Sequence, residues 1–427
     1  MEPLANKINK KQVFLWTLYD FGNSIMVIAF ALYFSQWLVV DRGVSDLWYN
    51  LIFVGSSILL LATAPVIGSM ADKKNIKLFY LRITTVLLFL ACMVSALFAI
   101  LHPSSFAYVI FAAIGFLFSN YFYQFSLSFY NAMLYDLAPE DKRGRVSGMG
   151  QSANWLGQVA GIFITIPFAT GMIYFFGNPG RAQTLLPATA IFFLFALPML
   201  FWYKESENKN LVKVNLFEEY KNYWKSFKNL LAAPGLGRFL LGFFFFNDAI
   251  LTMENNYAIY MQQVFNVSDK TKSFLMLGVL LASAMGAFLS GYIADKIGLK
   301  KFLMIILICW VAIFPSLGLA PNFNIFLALS LTMGLIYGST WTVTRAILAY
   351  LTPASKLNQG FSYYSLAERF ATFIGPLVWG VITSTLIHYG IWRYKIAAIT
   401  LTVFIVVGMI LISKIPSQPH PSNITLT

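Results

Sequence analysis

The chain has 427 residues, of which 58% are hydrophobic and only 11% are charged. A soluble domain averages about 45–50% apolar and about 25% charged residues. The apolar residues come in runs of about eighteen or more, long enough to cross the ~30 Å hydrocarbon core of a bilayer as helices. The composition therefore excludes an ordinary soluble domain and predicts an all-α membrane protein with many spans.

The formal net charge is +13, and most of the 30 Lys and Arg residues fall on one side of the predicted topology. This asymmetry follows the positive-inside rule and predicts that both termini lie in the cytoplasm. The basic excess therefore indicates topology and contact with membrane lipid, with no nucleic-acid partner. The two cysteines and three histidines form no disulfide or metal spacing, so we expect no metal and no cofactor.

Twelve transmembrane helices are predicted, in two pseudo-symmetric six-helix halves. The first half, 1–203, has spans at 13–40, 48–70, 78–101, 106–135, 146–171 and 185–203. A cytoplasmic linker with an amphipathic helix follows at 204–235. The second half, 236–427, has spans at 236–263, 271–294, 302–320, 324–350, 359–388 and 392–415, then a short tail. Twelve spans in two halves indicate the major facilitator fold.

Two segments at 68–77 and 291–301 are copies of each other. Each contains Gly-x-x-Ala-Asp-Lys followed by basic residues, and they lie about half the chain apart. Internal duplication is typical of secondary transporters. We interpret both segments as inner loops in which a small glycine lets spans approach closely and an aspartate accepts hydrogen bonds. The predicted gating residues are Gly68, Asp72, Gly291 and Asp295.

Ionisable residues inside spans are costly and indicate function or a buried partner. The predicted spans contain six of them: Asp20, Asp248, Glu254, Arg345, Glu368 and Arg369. Asp20 and Arg345 lie at a similar depth, so they can pair across the halves, for structure or for function. Asp248 and Glu254 are the first candidates for a proton carrier. Glu368 and Arg369 fit a packing role as well as a functional one.

Polar side chains also line span four. Asn120, Gln124, Ser128 and Asn131 share one helical face, which indicates either a wet cavity or hydrogen bonds between helices. The Gly148-x-Gly150-x-x-Ala153 pattern is no dinucleotide loop, because it opens a span and follows no strand. Ala153, Gly157 and Gly161 instead predict a face for close helix packing.

Several stretches resemble a known family. They are W-T-L-Y-D-F-G-N-S at 16–24, Y-N-A-M-L-Y-D-L-A-P at 130–139, R-V-S-G-M-G at 145–150, T-R-A-I-L-A-Y-L-T-P at 344–353 and G-P-L-V-W-G at 375–380. Together they resemble the autophagy-linked vacuolar effluxer-like branch of the major facilitator superfamily. The resemblance implies a permease for small organic solutes, with amino-acid efflux the best-known activity of eukaryotic members. It also implies a cavity lined by spans one, four, seven and ten, with family motif residues at Asp20, Asn23, Asn131 and Arg345.

The sequence thus predicts a secondary active transporter, not an enzyme, that moves an amino acid or similar solute by alternating access with proton coupling. The predicted substrate and coupling-ion residues are Asp20, Asn23, Asn120, Gln124, Asn131, Asp248, Glu254 and Arg345. Two alternatives stay open: a transporter of a siderophore or other metal chelate, and a transport-dead membrane receptor with the same fold. We expect a functional monomer in the plasma (inner) membrane, with an organelle membrane as the alternative.

Overall fold

The fold was analysed in a computed structural model. It describes residues 9–416, apart from 75, 102–104, 139, 206–220, 222–224, 226–227, 229–234, 353–362, 365–366 and 369–370. Most of the predicted amphipathic linker helix and residue Arg369 therefore lie outside the described residues. The chain divides into two compact units, 1–223 and 224–427. Their boundary lies inside the segment predicted as a linker.

The first unit contains seven described helices. They are α1 (Lys10–Ile28), α2 (Asp46–Lys74), α3 (Lys77–Leu101), α4 (Phe106–Ala132), the short α5 (Leu134–Leu137), α6 (Glu140–Ala169) and α7 (Leu185–Trp202). Two π-helical segments, Ala29–Phe34 and Trp37–Asp41, extend α1 to the full length of a span. Asn9 starts α1 because its side-chain oxygen accepts the amide protons of Lys11 and Gln12, which have no carbonyl partner inside the helix.

Six helices are described in the second unit. They are α8 (Leu236–Phe265), α9 (Asp269–Ile297), α10 (Leu299–Leu319), α11 (Phe323–Leu351), α12 (Ile374–Thr385) and α13 (Trp392–Ser413). A side-chain oxygen caps the start of two of them, Ser268 for α9 and Asn322 for α11. Gly298 alone joins α9 to α10 and has a φ of +87°, a backbone conformation that glycine adopts without a Cβ penalty.

The twelve predicted spans correspond to the observed helices, with most ends within a few residues. Ten helices of the described chain are long and apolar enough to cross a membrane. The other two predicted spans correspond to α6, which begins with a polar turn, and α12, which has only 12 residues. The prediction of one continuous span over 359–388 was wrong, because residues 371–373 form a turn before α12 begins.

Both units use the same helix pairings. In the first unit α1 packs on α6 and α7, and α4 packs on α2 and α3. In the second unit α8 packs on α12 and α13, and α11 packs on α9 and α10. Equivalent contacts in equivalent order are what a duplicated six-helix unit produces, so the repeat predicted from the sequence extends to the packing.

One face of α3 is apolar and exposed, although the chain is rich in buried apolar residues. Its exposed side chains recur at three- and four-residue spacing: Phe79, Ile83, Val86, Leu90, Val94, Leu97 and Leu101. Residues at that spacing share one face of a helix. A continuous apolar stripe of this length requires hydrocarbon around it, so α3 is a lipid-facing span.

The copied segments are helical for most of their length. Gly68 and Asp72 lie in the last turns of α2, and Gly291 and Asp295 lie in the last turns of α9. Among the described residues, Ile76 and Gly298 lie between the helices at these two places. A Cβ on Gly68 or Gly291 would meet no described atom within 4 Å. Among the described residues, no span approaches these two glycines closely, and their gating role stays a prediction.

Glu205 caps the start of α3 from the end of α7. Its carboxylate oxygens accept the amide protons of Lys77 at 2.7 Å and Leu78 at 3.1 Å. The Lys77 ammonium in turn pairs with Asp136 of α5 at 2.7 Å. A negative group at a helix N-terminus is favourable because it meets unpaired amides and the positive end of the helix dipole. This cluster joins the ends of three helices in the first unit.

Glu205→Gln is expected to make thermal stability less dependent on pH. Partial burial raises the pKa of the Glu205 carboxyl, and the two amide bonds and the Lys77 charge only partly oppose that rise. Because the carboxyl binds its proton more tightly in the folded protein, protonation stabilises the fold fully below the ordinary pKa of 4.5. This stabilisation is lost as the pH rises through the raised pKa of the folded protein. The unfolding temperature of both forms, measured in detergent across that range, should show the wild-type advantage shrinking with rising pH. An advantage that grows with pH would contradict this assignment.

Candidate functional site

Three of the stretches that carry the family resemblance meet at Trp16 in the first unit. The Trp16 indole stacks on the Tyr130 ring with centroids 4.5 Å apart and planes 2° apart. Its N–H donates to the Tyr130 carbonyl at 3.0 Å, just before α4 ends. A Cβ on Gly150 would lie 2.5 Å from the same indole, so a larger residue cannot replace this glycine without displacing the ring. The three stretches therefore form one packed joint between α1, α4 and α6.

Trp16→Phe is expected to lower the free energy of unfolding by about 1 kcal/mol, because the hydrogen bond to Tyr130 is lost while an aromatic ring remains. Thermal unfolding in detergent measures the effect. Trp202→Phe is the matched control, since Trp202 is 62% exposed at the end of α7. Equal losses of unfolding free energy in the two variants would show that the indole hydrogen bond does not stabilise the fold.

Asp20 lies beside this joint and begins a chain of polar contacts. Its Oδ1 accepts a hydrogen bond from Asn154 Nδ2 at 3.3 Å, and Asn154 Oδ1 accepts one from Gln158 Nε2 at 2.7 Å. The α6 backbone can come this close because Gly157 and Gly161 face α1. A Cβ on Gly157 would overlap the Phe21 carbonyl oxygen, and one on Gly161 would lie 3.0 Å from Ile25. The predicted packing role of these two glycines is confirmed.

The polar residues of span four do not form one uniform lining. Asn120 is buried and donates to Ser56 of α2 at 2.7 Å, and Tyr121 shares a hydrogen bond with Thr63 of α2 at 2.9 Å. These are the interhelical hydrogen bonds that the sequence left open as the alternative. Gln124 is half-buried and Asn131 is exposed. On α1, Asn23 is 1% exposed, and its Oδ1 has no hydrogen-bond partner among the described residues.

Asp248 in the second unit caps the start of α12. Its Oδ2 accepts the Gly375 amide proton at 2.7 Å, and the amides of Ile374 and Phe373 also interact with the carboxylate. Asp248 is 0% exposed. The break in span eleven leaves the first amides of α12 without carbonyl partners inside the membrane span, where each unpaired amide is costly. Asp248 therefore has a definite structural role in addition to any function.

Glu254 lies two turns further along α8 and contacts α11. Tyr337 donates its hydroxyl proton to Glu254 Oε2 at 3.1 Å, and the Glu368 charge interacts with both side chains. The Tyr337 ring meets Trp341 edge-on, with centroids 5.9 Å apart. The Glu254 carboxylate thus contacts an aromatic residue and interacts with a second carboxylate of the same unit.

Arg345 lies on the same helix and interacts with Tyr364. The Tyr364 hydroxyl shares a hydrogen bond of 2.8 Å with Thr344, and its ring stacks on Phe243 of α8 at 4.2 Å. Phe243 also meets Trp341 edge-on at 6.2 Å. Arg345 is therefore held beside an aromatic cluster, an environment in which a guanidinium can bind a carboxylate while stacking on rings.

The structure thus groups the predicted site residues by unit. It places Asp20 and Asn23 on α1, and Asn120, Gln124 and Asn131 on α4. In the second unit it places Asp248 at the start of α12, Glu254 beside Tyr337 and Arg345 beside Tyr364. Sequence reasoning missed Tyr337, Tyr364, Thr252 and Gly375 as neighbours of the charged groups. The G-P-L-V-W-G stretch contained a signal for Gly375, whereas one tyrosine in an aromatic-rich span gives none.

Comparison with known proteins supports one family over most of the chain. A family model described as "Vacuole effluxer Atg22 like" matches residues 51–419. The uncharacterized MFS-type transporter YxiO of Bacillus subtilis is 23% identical over 437 residues, covering 96% of this chain and 95% of the relative. Autophagy-related protein 22 of Eremothecium gossypii is 24% identical over 210 residues, covering 44% of this chain and 41% of the relative.

Solved structures show the same fold at low identity. The crystal structure of the nucleoside transporter NupG matches with a TM-score of 0.71 and 11% identity, over 94% of this chain and 99% of that one. A D-xylose–proton symporter matches with a TM-score of 0.67 and 14% identity, over 93% and 97%. The fold is therefore that of the major facilitator superfamily, the protein is a multi-pass membrane transporter of that type, and the chain belongs to the Atg22-like vacuole effluxer family.

Proposed function

We propose that this transporter moves a small organic solute, an amino acid or a similar molecule, by secondary active transport with alternating access and proton coupling. The observation that carries the proposal is that Glu254 of α8 and Arg345 of α11 lie in spanning helices beside the aromatic residues Tyr337 and Tyr364. Ionisable groups inside spans are rarely tolerated unless they bind a substrate, an ion or one another.

Arg345 is the proposed partner of a substrate carboxylate. A guanidinium stays charged and offers a planar fork of donors that matches a carboxylate. The ring of Trp341, partly exposed beside the buried rings of Phe243 and Tyr364, supplies apolar surface for a solute side chain. A solute with a carboxylate and an apolar part fits this chemistry, which is why an amino acid is the favoured class.

Glu254 is proposed to bind the coupling proton, and not the ammonium group of the solute whose carboxylate binds Arg345. Its partner Tyr337 and Arg345 lie eight positions apart on α11, or about 12 Å along a helix that rises ~1.5 Å per residue. This separation along α11 is the basis for assigning the solute carboxylate to Arg345 and the proton to Glu254. Asp248 is the other proposed proton carrier, and the proposed coupling requires both carboxylates, so that loss of either one stops it.

The remaining predicted residues keep supporting roles in this proposal. Asp20, Asn23 and Asn131 provide polar contacts for substrate in the first unit. The ends of α2 and α9, with Asp72 and Asp295, help to exchange one closed state for the other. The protein acts as a monomer in the plasma membrane with both termini in the cytoplasm.

Solute counterflow in proteoliposomes tests this proposal, because exchange of labelled for unlabelled solute requires binding and access from both sides but no ion gradient. Amino acids, short peptides, nucleosides and siderophores form the panel. Counterflow of an amino acid supports the proposal, and counterflow of a siderophore alone would establish the metal-chelate alternative. Folded protein that exchanges none of them would contradict the proposed substrate class and favour the receptor.

A further inference from the structure

The contact between α8 and α12 contains polar groups that the cap on α12 does not use. Asp248 binds the α12 amides through Oδ2, whereas its Oδ1 has no hydrogen-bond partner among the described residues. The Thr252 hydroxyl, one turn further along α8, is likewise unpartnered within the described chain. Both residues are 0% exposed. A buried polar atom without a partner is costly, and these two lie at one helix contact.

Gly375 brings the two oxygens to the same point. A Cβ there would overlap Thr252 Oγ1 and would lie 2.9 Å from Asp248 Oδ1. The free carboxylate oxygen and the free hydroxyl therefore both face the hydrogen side of one glycine, in a space that any other residue would fill. Both the α12 N-terminus and the unpaired oxygens point to this spot.

We propose that Asp248 Oδ1, Thr252 Oγ1 and the Gly375 backbone form a closed site for the coupling proton. A proton taken from water bonds to Oδ1, and the carboxylate becomes a neutral carboxylic acid. The two oxygens make no hydrogen bond with each other in this structure, so the Thr252 side chain turns to accept the new O–H. This inference rests on the proton coupling of the proposed function and adds Thr252 as a positioning residue. A metal cation fits less well, because the α12 amides point their positive ends at the same carboxylate.

Protonation of Asp248 changes how strongly its carboxyl group binds the amides at the start of α12. An ionised carboxylate accepts charge-assisted hydrogen bonds, which are roughly twice as strong as those to a neutral acid. Proton binding therefore weakens the attachment of the α12 N-terminus to α8, and proton release strengthens it. A helix of only 12 residues that follows a turn is a suitable element to respond to that change.

Few charged groups among the described residues can influence the protonation of Asp248. Its carboxylate interacts with backbone amides of Phe373, Ile374 and Gly375, and with no other described charged group. Among the helices packed on α8, α12 contains no titratable residue. The titratable side chains of α11 and α13 are Tyr337, Arg345, Tyr350, Arg393, Tyr394 and Lys395. Glu254 and Glu368 interact with each other.

The test is the pH dependence of proton-driven uptake in proteoliposomes, with a solute that the wild type exchanges in counterflow. Thr252→Val removes the acceptor of the hydrogen bond from the protonated carboxyl. The midpoint, which is the pH at which uptake is half-maximal, should therefore move to lower pH by roughly half to one unit, which corresponds to the free energy of one hydrogen bond. Thr252→Ser should restore the midpoint. Each variant is normalised to its own maximum, so a change in rate alone does not move the midpoint.

Asp248→Asn should abolish the dependence on pH, while Thr383→Val, a buried threonine further along α12, should not move the midpoint. Thr252→Ala replaces Thr252→Val if the valine form does not fold. An unchanged midpoint, or a shift to higher pH, would overturn the role of Thr252. Uptake that follows a sodium gradient and ignores pH would overturn the proton assignment, whereas absence of wild-type counterflow would instead defeat the proposed function.

Discussion

Arg345→Ala is expected to reduce solute uptake about ten- to a hundredfold at matched expression. The substitution removes the proposed partner of the substrate carboxylate, and one hydrogen bond to a charged group contributes about 1.5–3 kcal/mol, with about 1.4 kcal/mol per factor of ten. The loss should appear as a raised KM, because the carboxylate is bound equally in the ground state and throughout transport. Arg345→Lys should recover part of the affinity, since an ammonium keeps the charge and loses the fork.

Arg238→Ala is the matched control for this experiment. Arg238 is exposed at the start of α8 and donates to the Lys414 carbonyl at 3.3 Å. It should change uptake by less than about twofold, since exposed polar contacts contribute little. If Arg345→Ala transports like the wild type, or if both arginine variants lose uptake equally, Arg345 does not bind the substrate.

Gly338→Val is expected to prevent stable folding of the second unit. A Cβ at Gly338 of α11 would overlap the Ser283 carbonyl oxygen of α9, and one at Gly286 of α9 would overlap the Leu335 carbonyl oxygen. The opposing atoms are backbone, so only separation of the two helices can relieve the clash. Overpacking costs typically ~1–3 kcal/mol even where side chains can adjust, and here they cannot. Folded yield by size-exclusion chromatography and the unfolding temperature measure the effect.

Gly291→Ala, five positions after Gly286 on α9, is the matched control. A Cβ at Gly291 meets no described atom within 4 Å, and alanine is the better helix former by about 1 kcal/mol. Its folded yield should equal or exceed that of the wild type. Normal folding of Gly338→Val would show that α9 and α11 do not pack as closely as described.

The spans were predictable because residues that face the lipid hydrocarbon are apolar, so each span appears in the sequence as a run of apolar residues. The α3 stripe from Phe79 to Leu101 is an example. Span eleven was not predictable in the same way. The Gly375-Pro376 pair is a local turn signal, but Asp248, the residue that caps the helix after the turn at 371–373, lies more than 120 positions earlier in the sequence.

The candidate site was predictable only as a set of charges. A charge in an apolar run marks Glu254 or Arg345 directly, whereas their partners Tyr337 and Tyr364 look like any other aromatic in a span. Close helix packing was predictable at Gly157 from its four-residue spacing, whereas the close approaches at Gly286 and Gly338 depend on the neighbouring helix and were not predicted.

Solute-triggered proton flux in proteoliposomes tests the central claim most directly. Vesicles with a pH-sensitive dye inside receive a solute that the wild type exchanges in counterflow, with no gradient imposed. Proton-coupled transport predicts a pH change inside the vesicles that follows the solute and is lost in Asp248→Asn, while Thr383→Val behaves as the wild type. Solute entry without any pH change, or a pH change that survives in Asp248→Asn, would contradict proton coupling through Asp248.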